Sequence, residues 1–423
     1  MSVPYPEKKT VPQLPIASHK DKLVTFNSTY LDDIRAAIED WKCERVILVV
    51  SRSLDQKTDK VHKLENALGS KFAGKKVGVG SHSPYHDVLA IAKLAHDANA
   101  DCIVSIGSSS YSDATKIARL LHATFPPEQL TEEGMESLID QTKGSTRPGV
   151  FNSPKTKLIL VPCSLSVSEY NPISSATNQD GKKQHFSKLD FVPGAADLIL
   201  LDPAVASTAT PETLWLPSGA RAVDHAVEGI CCSLTVPEGV ESSINGLRAI
   251  IRGLNDYKAG LDAKTPATDE SMLKAISACQ QGARDAIQGL LVYGSKVGPS
   301  HAIGHQLGSV GKVPHGLTSC VCLPATLRYE KEHPENQYFR LEGHKTVVDV
   351  FNEELGWQEK EPGDAVERFY KFLGLPTRLS DVGVTDDEAV WKIAVKTMTD
   401  VWGGGPRQID DPKEIMKILE TVR

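Results

Sequence analysis

Ala100-Asp101-Cys102-Ile103-Val104-Ser105-Ile106-Gly107-Ser108-Ser109-Ser110-Tyr111-Ser112-Asp113-Ala114-Thr115-Lys116 reads as a buried strand, a turn of small residues and the start of a helix that continues through Ile117, Ala118, Leu120 and Leu121. A short apolar run closed by glycine and followed by helical periodicity is the signature of a βα unit in a parallel sheet. The turn matters chemically as well. Small residues at a helix N-terminus present unpaired backbone N–H groups and the positive end of the helix dipole, which suits a pyrophosphate.

Working outward, Arg45 to Ser51, Lys76 to Gly80, Lys157 to Pro162 and Leu198 to Pro203 repeat the strand pattern, with helical stretches at Asp55 to Gly69 and His86 to Ala98. Strands alternating with helices predict an α/β domain with a mostly parallel sheet over residues 23–205. Beyond it, amphipathic windows at Gly219 to Cys232, Val240 to Gly260, Ser271 to Lys296, Gly363 to Leu373, Asp386 to Met398 and Asp411 to Val422 predict a helical domain over 206–423. The stretch Pro203 to Pro211 is the expected junction. Residues 1–22, interrupted by Pro4, Pro6, Pro12 and Pro15, are expected to form a flexible arm.

The chain has 423 residues, 40% hydrophobic and 24% charged, with a formal net charge of −7. That balance fits a soluble globular protein, and without a basic stripe it speaks against nucleic acid as a partner. No long uncharged apolar run predicts a membrane span, and no apolar leader follows Met1, so a cytoplasmic protein is expected. The eight cysteines are scattered, and neither Cys231-Cys232 nor Cys320-Val321-Cys322 has the spacing of paired zinc ligands, so buried free thiols are expected.

The helical half carries a series of histidines. His301 and His305 stand four apart and share a helix face, His315 follows in Pro314-His315-Gly316, where a bend can aim it back, and His225 lies upstream in Arg221-Ala222-Val223-Asp224-His225-Ala226-Val227-Glu228. Imidazoles meeting in a cleft make either a metal site or a proton-transfer site. Asp224 is read as a solvated helix charge in preference to an orienter of His225.

The Gly-Ser turn followed by Asp113 and Lys116, the Arg221-to-Glu228 helix and the histidine series together resemble the iron-containing (group III) alcohol dehydrogenases and their maleylacetate reductase branch. The resemblance spans about residues 23–423. It implies a Rossmann-like N-terminal domain, an all-helical C-terminal domain, a nicotinamide cofactor (NADH or NADPH) between them, and a homodimer. Carried over, Gly107, Ser108, Ser109 and Ser110 line the pyrophosphate, with Asp113 and Lys116 following. Cys163, Ser164 and Leu165 stand where the family has a Thr-Thr pair near the cofactor, with Ser168-Glu169 continuing that motif. His225, His301 and His315 fall on the metal-histidine positions, and His305 on the additional histidine near the nicotinamide. His82-Ser83-Pro84 and Gly405-Pro406-Arg407 resemble the reductase branch's His-Thr-Pro and Asn-Pro-Arg segments.

Two departures reshape that expectation. Arg221 replaces the family's metal-binding aspartate, and a guanidinium has no lone pair to offer a metal. The turn is Gly-Ser-Ser-Ser where the family has Gly-Gly-Gly-Ser, adding bulk where backbone approaches phosphate. At the end of an earlier strand Ser51-Arg52-Ser53 carries no acid to grip the adenosine ribose and repel a 2′-phosphate, so NADPH is expected to be tolerated.

The expected function is therefore a metal-independent NAD(P)H-dependent reductase of a small anionic enone or oxo acid, of the maleylacetate to 3-oxoadipate type, in catabolism of aromatic compounds. Arg221 would receive a carboxylate, and His225, His301, His305 or His315 would supply the proton. The alternatives are an Fe- or Zn-dependent alcohol or aldehyde dehydrogenase with metal on His225, His301 and His315, and a nucleotide-binding homologue without turnover.

Overall fold

A computed structural model describes residues 7–336, 339–400 and 409–423. The chain divides into two units, Met1–Thr210 and Pro211–Arg423.

The first unit contains strands β1 (Lys9–Pro12), β2 (Leu23–Phe26), β3 (Val46–Val50), β4 (Phe72–Val77), β5 (Cys102–Gly107), β6 (Ile139–Asp140), β7 (Ser145–Thr146), β8 (Lys157–Pro162), β9 (Ser174–Thr177), β10 (Lys183–Phe186) and β11 (Leu198–Leu201). Its helices are α1 (Tyr30–Asp40), α2 (Arg52–Lys57), α3 (Lys60–Leu68), α4 (Tyr85–Asp97), α5 (Ser109–Thr124), α6 (Glu132–Ser137) and α7 (Pro203–Ala209). Seven strands form one sheet in the order β1-β2-β11-β8-β5-β3-β4. All its pairings are parallel except β1 with β2. Every residue of β3 and β5 is buried, as strands covered by helices on both faces require. Val46, Leu48 and Val50 pack with Ile34 and Ile38 of α1, Leu64 of α3 and Val205 of α7 in one apolar core.

The chain passes from β3 outward to β4, then returns to β5 on the other side of β3. That reversal makes the carboxyl ends of β3 and β5 the switch point where ligands bind in open α/β sheets. Ser51 and Arg52 follow β3, and Ser108 to Ser110 follow β5.

Two features of this unit differ from the expectation. The segment after residue 8 is not a loose arm: β1 pairs with β2, Thr10 and Thr25 hydroxyls meet at 2.9 Å, and buried Gln13 donates to the Ala196 carbonyl at 3.0 Å. Pro12 fits because it sits on an edge strand, where one side needs no N–H. A second, four-stranded sheet, β6-β7-β10-β9, also forms within residues 139–186. Its strands, such as Ser174–Thr177 and Lys183–Phe186, are too short and polar to show in periodicity.

The second unit contains α8 (Glu212–Cys231), α9 (Pro237–Asp262), α10 (Glu270–Leu291), α11 (Pro299–Gly311), α12 (His315–Glu332), α13 (Leu341–Leu355), α14 (Pro362–Phe372), α15 (Asp387–Thr397) and α16 (Pro412–Glu420). The expected helical windows lie on α8, α9, α10, α14, α15 and α16. The chain turns after Gly311, as expected at this point, and His315 then starts α12, which lacks a polar stripe because Thr318 to Leu327 are buried throughout. All eight cysteines are free and buried. No helix among the described residues is long and apolar enough to cross a membrane.

Candidate active site

At the switch point Ser51 caps α2, its hydroxyl accepting from the Leu54 N–H at 3.2 Å. Exposed Arg52 lays its guanidinium over Gly78 beyond β4, 3.3 Å from where a Cβ there would lie. Gly107 is required: a Cβ would sit 2.4 Å from the Tyr111 ring. Ser108 is the N-cap of α5 without a side-chain cap, so the first N–H groups of the helix, those of Ser109 and Ser110, have no acceptor within it. These groups fit the pyrophosphate of a nicotinamide dinucleotide. The Ser110 hydroxyl accepts from the His82 N–H at 3.2 Å, and its carbonyl accepts from Ser83 at 2.9 Å, which holds the His82-Ser83-Pro84 turn against this helix end.

Asp113 and Lys116 have a different task from the expected one. Lys116 is fully buried and donates to the carbonyls of Ser168 and Asn171 at 2.6 and 2.8 Å, with Asp113 3.4 Å away. Burial pushes the Lys116 pKa down and that of Asp113 up. The pair thus clamps the 168–173 segment onto α5 and does not reach toward a cofactor. Ahead of that segment, Val167 has φ of 56°, a strained position for a β-branched residue. Glu169 beside it is buried, which raises its pKa to about 7. Cys163 and Leu165 are buried, the Cys163 carbonyl accepting from Thr210 at 2.7 Å, and Ser164 donates to Ser166 at 3.3 Å.

In the helical unit α8 carries Arg221, Asp224, His225 and Glu228 at helical spacings of three and four, so they form one stripe on a helix that is buried almost all round. Asp224 is the hub. It is fully buried and accepts from Ser319 at 2.6 Å and Ser300 at 3.0 Å, with Arg221 Nη1 3.7 Å and His301 Nδ1 3.4 Å from the same oxygen. This corrects the reading of Asp224 as a solvated charge: its partners are all interior. Burial raises the Asp224 pKa, yet the cations of His301 and Arg221 and the Ser319 hydroxyl outweigh it and hold the carboxyl well below the usual range.

Arg221 is buried too and donates to Ser319 at 3.1 Å. Its charge is answered by Asp224, so the expectation that it receives a substrate carboxylate is corrected: its immediate partners belong to the protein. His301 Nδ1 lies at ion-pair distance, 2.7 Å, from Glu228 Oε2, an oxygen that accepts from the Gly298 N–H at 2.7 Å. Burial and Arg221 lower the His301 pKa, but Asp224 and Glu228 more than offset them, so it is raised above the ordinary histidine value. Burial and the neighbouring cations push that of His225 far down.

The four expected histidines do come together. Ring centroids lie 4.9 Å apart for His225 and His301, 6.4 Å for His301 and His305, and 5.7 Å for His305 and His315. The row runs from buried His301, through half-buried His305, to exposed His315. His305 Nδ1 is held 3.1 Å from Asp400, which also accepts from Gln306. His301 and His225 line a small cavity with Glu228, Ser295, Lys296 and Val297. Lys296 and Asp400 carry no periodic signal in the sequence, whereas Glu228 was detectable as the next turn of the Arg221–Asp224 stripe. Gly405-Pro406-Arg407 lies outside the described residues.

The family profile described as iron-containing alcohol dehydrogenase matches residues 22–203, and that of the Fe-containing alcohol dehydrogenase family, C-terminal, matches residues 218–422. The chain belongs to the iron-containing alcohol dehydrogenase family and is an oxidoreductase. Among its relatives, dehydrogenase ALT3 of Alternaria alternata is 32% identical over 373 residues, covering 81% of this chain and 90% of the relative. The fold matches maleylacetate reductase from Rhizobium with a TM-score of 0.70 at 20% identity, covering 94% of this chain and 95% of the other. It also matches sulfoacetaldehyde reductase from Bifidobacterium kashiwanohense, solved with NAD+, with a TM-score of 0.75 at 16% identity, covering 94% and 96%.

The side chains here do not fit the family's four-ligand metal site. Position 221 offers a cation, and His315 is exposed and stacked on His305. The donor atoms that do converge, all within 4.8 Å of one another, are those of Asp224, Glu228 and His301. Of these, Asp224 is already engaged by two serines and faces a guanidinium, which opposes a dication.

Proposed function

We propose that this protein is a metal-independent, NAD(P)H-dependent reductase of a small anionic oxo acid or enone, the reduction of maleylacetate to 3-oxoadipate being the type reaction. The observation that carries it is Arg221 in the place of the metal aspartate, buried on Asp224 and Ser319 beside His301. The bound nicotinamide supplies a hydride. The chain supplies the matching proton and a fixed positive field. His301, braced by Glu228 and Asp224, gives its proton to the atom that gains charge as hydride arrives: the oxygen of an oxo group, or the enolate of an enone. Arg221, pre-oriented and unable to lose its charge, stabilises that developing anion through the field it sets up in a water-poor site. His305 and His315 give His301 a route back to solvent for reprotonation. Lys296, at the cavity lined by His225 and His301, is the cation placed to take a substrate carboxylate.

Maleylacetate and sulfoacetaldehyde, named for the two fold relatives, are both small anionic carbonyl compounds, which supports this substrate class. The test is oxidation of NADPH and NADH with maleylacetate and sulfoacetaldehyde against neutral aldehydes of similar size, with EDTA-treated and untreated enzyme. Turnover of the anions that survives the chelator is expected. Preference for neutral aldehydes would overturn the substrate class. Activity lost with EDTA while the fold is retained, and restored by Fe²⁺ or Zn²⁺, would favour a second reading, in which Asp224, Glu228 and His301 hold a catalytic metal.

Arg52 gives a separate prediction. A charge-assisted hydrogen bond to a 2′-phosphate is worth about 1.5–3 kcal/mol. Arg52→Asp is therefore expected to lower kcat/KM for NADPH roughly 10- to 100-fold while NADH is unchanged or improved. Equal kinetics with both cofactors before and after the change would make Arg52 an ordinary surface cation.

A further inference from the structure

A second group of donor atoms lies elsewhere in the helical unit and has no part in the reaction proposed above. Cys231 ends α8, Glu330 lies in the last turn of α12 and His344 in the first turn of α13. The Cys231 thiol, one Glu330 oxygen and one His344 nitrogen all lie within 4.8 Å of one another. Cys231 is 1% exposed, Glu330 3% and His344 6%, so all three are removed from water. His344 Nε2 is 3.0 Å from Glu330 Oε2.

The backbone is built to bring these three helix ends together. The Arg340 N–H donates to the Cys231 carbonyl at 2.8 Å, and Cys232 forms a β-bridge with Phe339. Gly343, next to His344, packs so tightly on the end of α8 that a Cβ there would lie 2.7 Å from the Ile230 carbonyl oxygen and 3.1 Å from Cys231 Cα. No other residue type permits that approach without moving α13 and His344 away.

We infer that Cys231, Glu330 and His344 form a three-ligand zinc site that joins the ends of α8, α12 and α13. The donor set is one thiolate, one carboxylate and one imidazole, which matches Zn²⁺ in softness. Two ligand charges neutralise the dication, and the metal–ligand bonds offset the cost of burying the three charges. Tetrahedral bonds of about 2.0–2.3 Å set donors about 3.3–3.8 Å apart, within small side-chain adjustments of the present positions. Binding displaces the thiol proton to solvent, and a water molecule carried in with the ion would complete the tetrahedron. The cysteine stands alone in the sequence as a ligand because its partners come from two other helices, roughly 100 residues downstream, so no local spacing announces the site.

The test is the metal content of the full chain purified without chelators and supplied with Zn²⁺, then dialysed to remove loosely bound metal. About one zinc per chain is expected, falling at least tenfold in Cys231→Ala and in His344→Gln and retained in His301→Ala. X-ray absorption at the zinc edge should show one sulfur at about 2.3 Å with nitrogen and oxygen at about 2.0–2.1 Å. Replacement by Co²⁺ should give a thiolate charge-transfer band that disappears in Cys231→Ser. If a variant fails to fold, the sulfur signal in the unaltered chain decides alone. A chain without zinc, zinc without a sulfur neighbour, or zinc that follows His301 in place of Cys231 would overturn the site. Because the ligands are separate from His301, failure here leaves the reductase reading standing, and a catalytic metal on Asp224, Glu228 and His301 would show as a second zinc that is lost in His301→Ala while the sulfur-ligated zinc remains.

Discussion

His301→Ala is expected to lower kcat by about 10²–10⁴-fold, the range for loss of a positioned general acid, with far less change in acceptor KM. The residue is chosen over its three neighbours by its surroundings. His225 is driven toward its neutral form by burial and adjacent cations, and His315 is exposed, but His301 sits 2.7 Å from Glu228 and 3.4 Å from Asp224 in a site that solvent does not reach. The two carboxylates favour the imidazolium over the imidazole, so a proton is stored where it is needed. A raised pKa sets the direction of the pH profile: the acid form persists above the ordinary value of about 6.5, and turnover falls as pH rises through the raised value. In Glu228→Gln that fall should move to lower pH while folding is retained, a change that a purely structural role for Glu228 would not produce. His301→Ala activity within tenfold of the parent enzyme would transfer the proton to another group.

The fold was legible where burial writes itself into composition. Val46–Val50 and Cys102–Gly107 are buried on both faces and therefore read as unbroken apolar runs, which placed the parallel sheet and its switch point. Lys9–Pro12 is polar and lies on an edge, and the β9 and β10 strands are short, so neither pattern separates them from loop. The same limit hid α12, whose Cys, Thr, Ser and Pro residues are enclosed on all sides and leave no polar face to reveal the period.

The histidine cluster was legible because its spacing of four and its Pro-His-Gly turn are local. What those histidines touch was not. The reading of Asp224 as a solvated helix charge is the one that fails. On a helix buried almost all round, every direction at that level is interior, and Asp224 meets Ser300, Ser319, Arg221 and His301 from other segments. Lys116 misled in the same way: its position after a phosphate-type turn suggested a ligand, but its ammonium is consumed by the carbonyls of 168 and 171.

Asp224→Ala is expected to destabilise the helical unit by about 3–5 kcal/mol, because it leaves a buried guanidinium and a buried imidazolium without their shared counter-ion. For a unit of this size that corresponds to a fall in Tm of roughly 6–20 °C. The cost comes from the partners left behind more than from the bond removed, and that distinction can be measured. Removing Arg221 together with Asp224, as Arg221→Met with Asp224→Leu, deletes both charges and fills the space with apolar volume. The double variant should therefore be more stable than Asp224→Ala, and the two single losses should not add. Additive losses would mean that Arg221 and Asp224 are held independently by Ser319 and Ser300. The pH dependence follows from the depressed Asp224 pKa. Its contribution is fully present above the unfolded carboxyl value of about 3.9 and is lost as pH falls through the folded value, so Asp224→Ala should flatten the acid limb of stability. The His301 contribution has the opposite sign and is lost as pH rises through its raised value. Between those limits both charges are present, and the Arg221–Asp224–His301 network contributes most to stability.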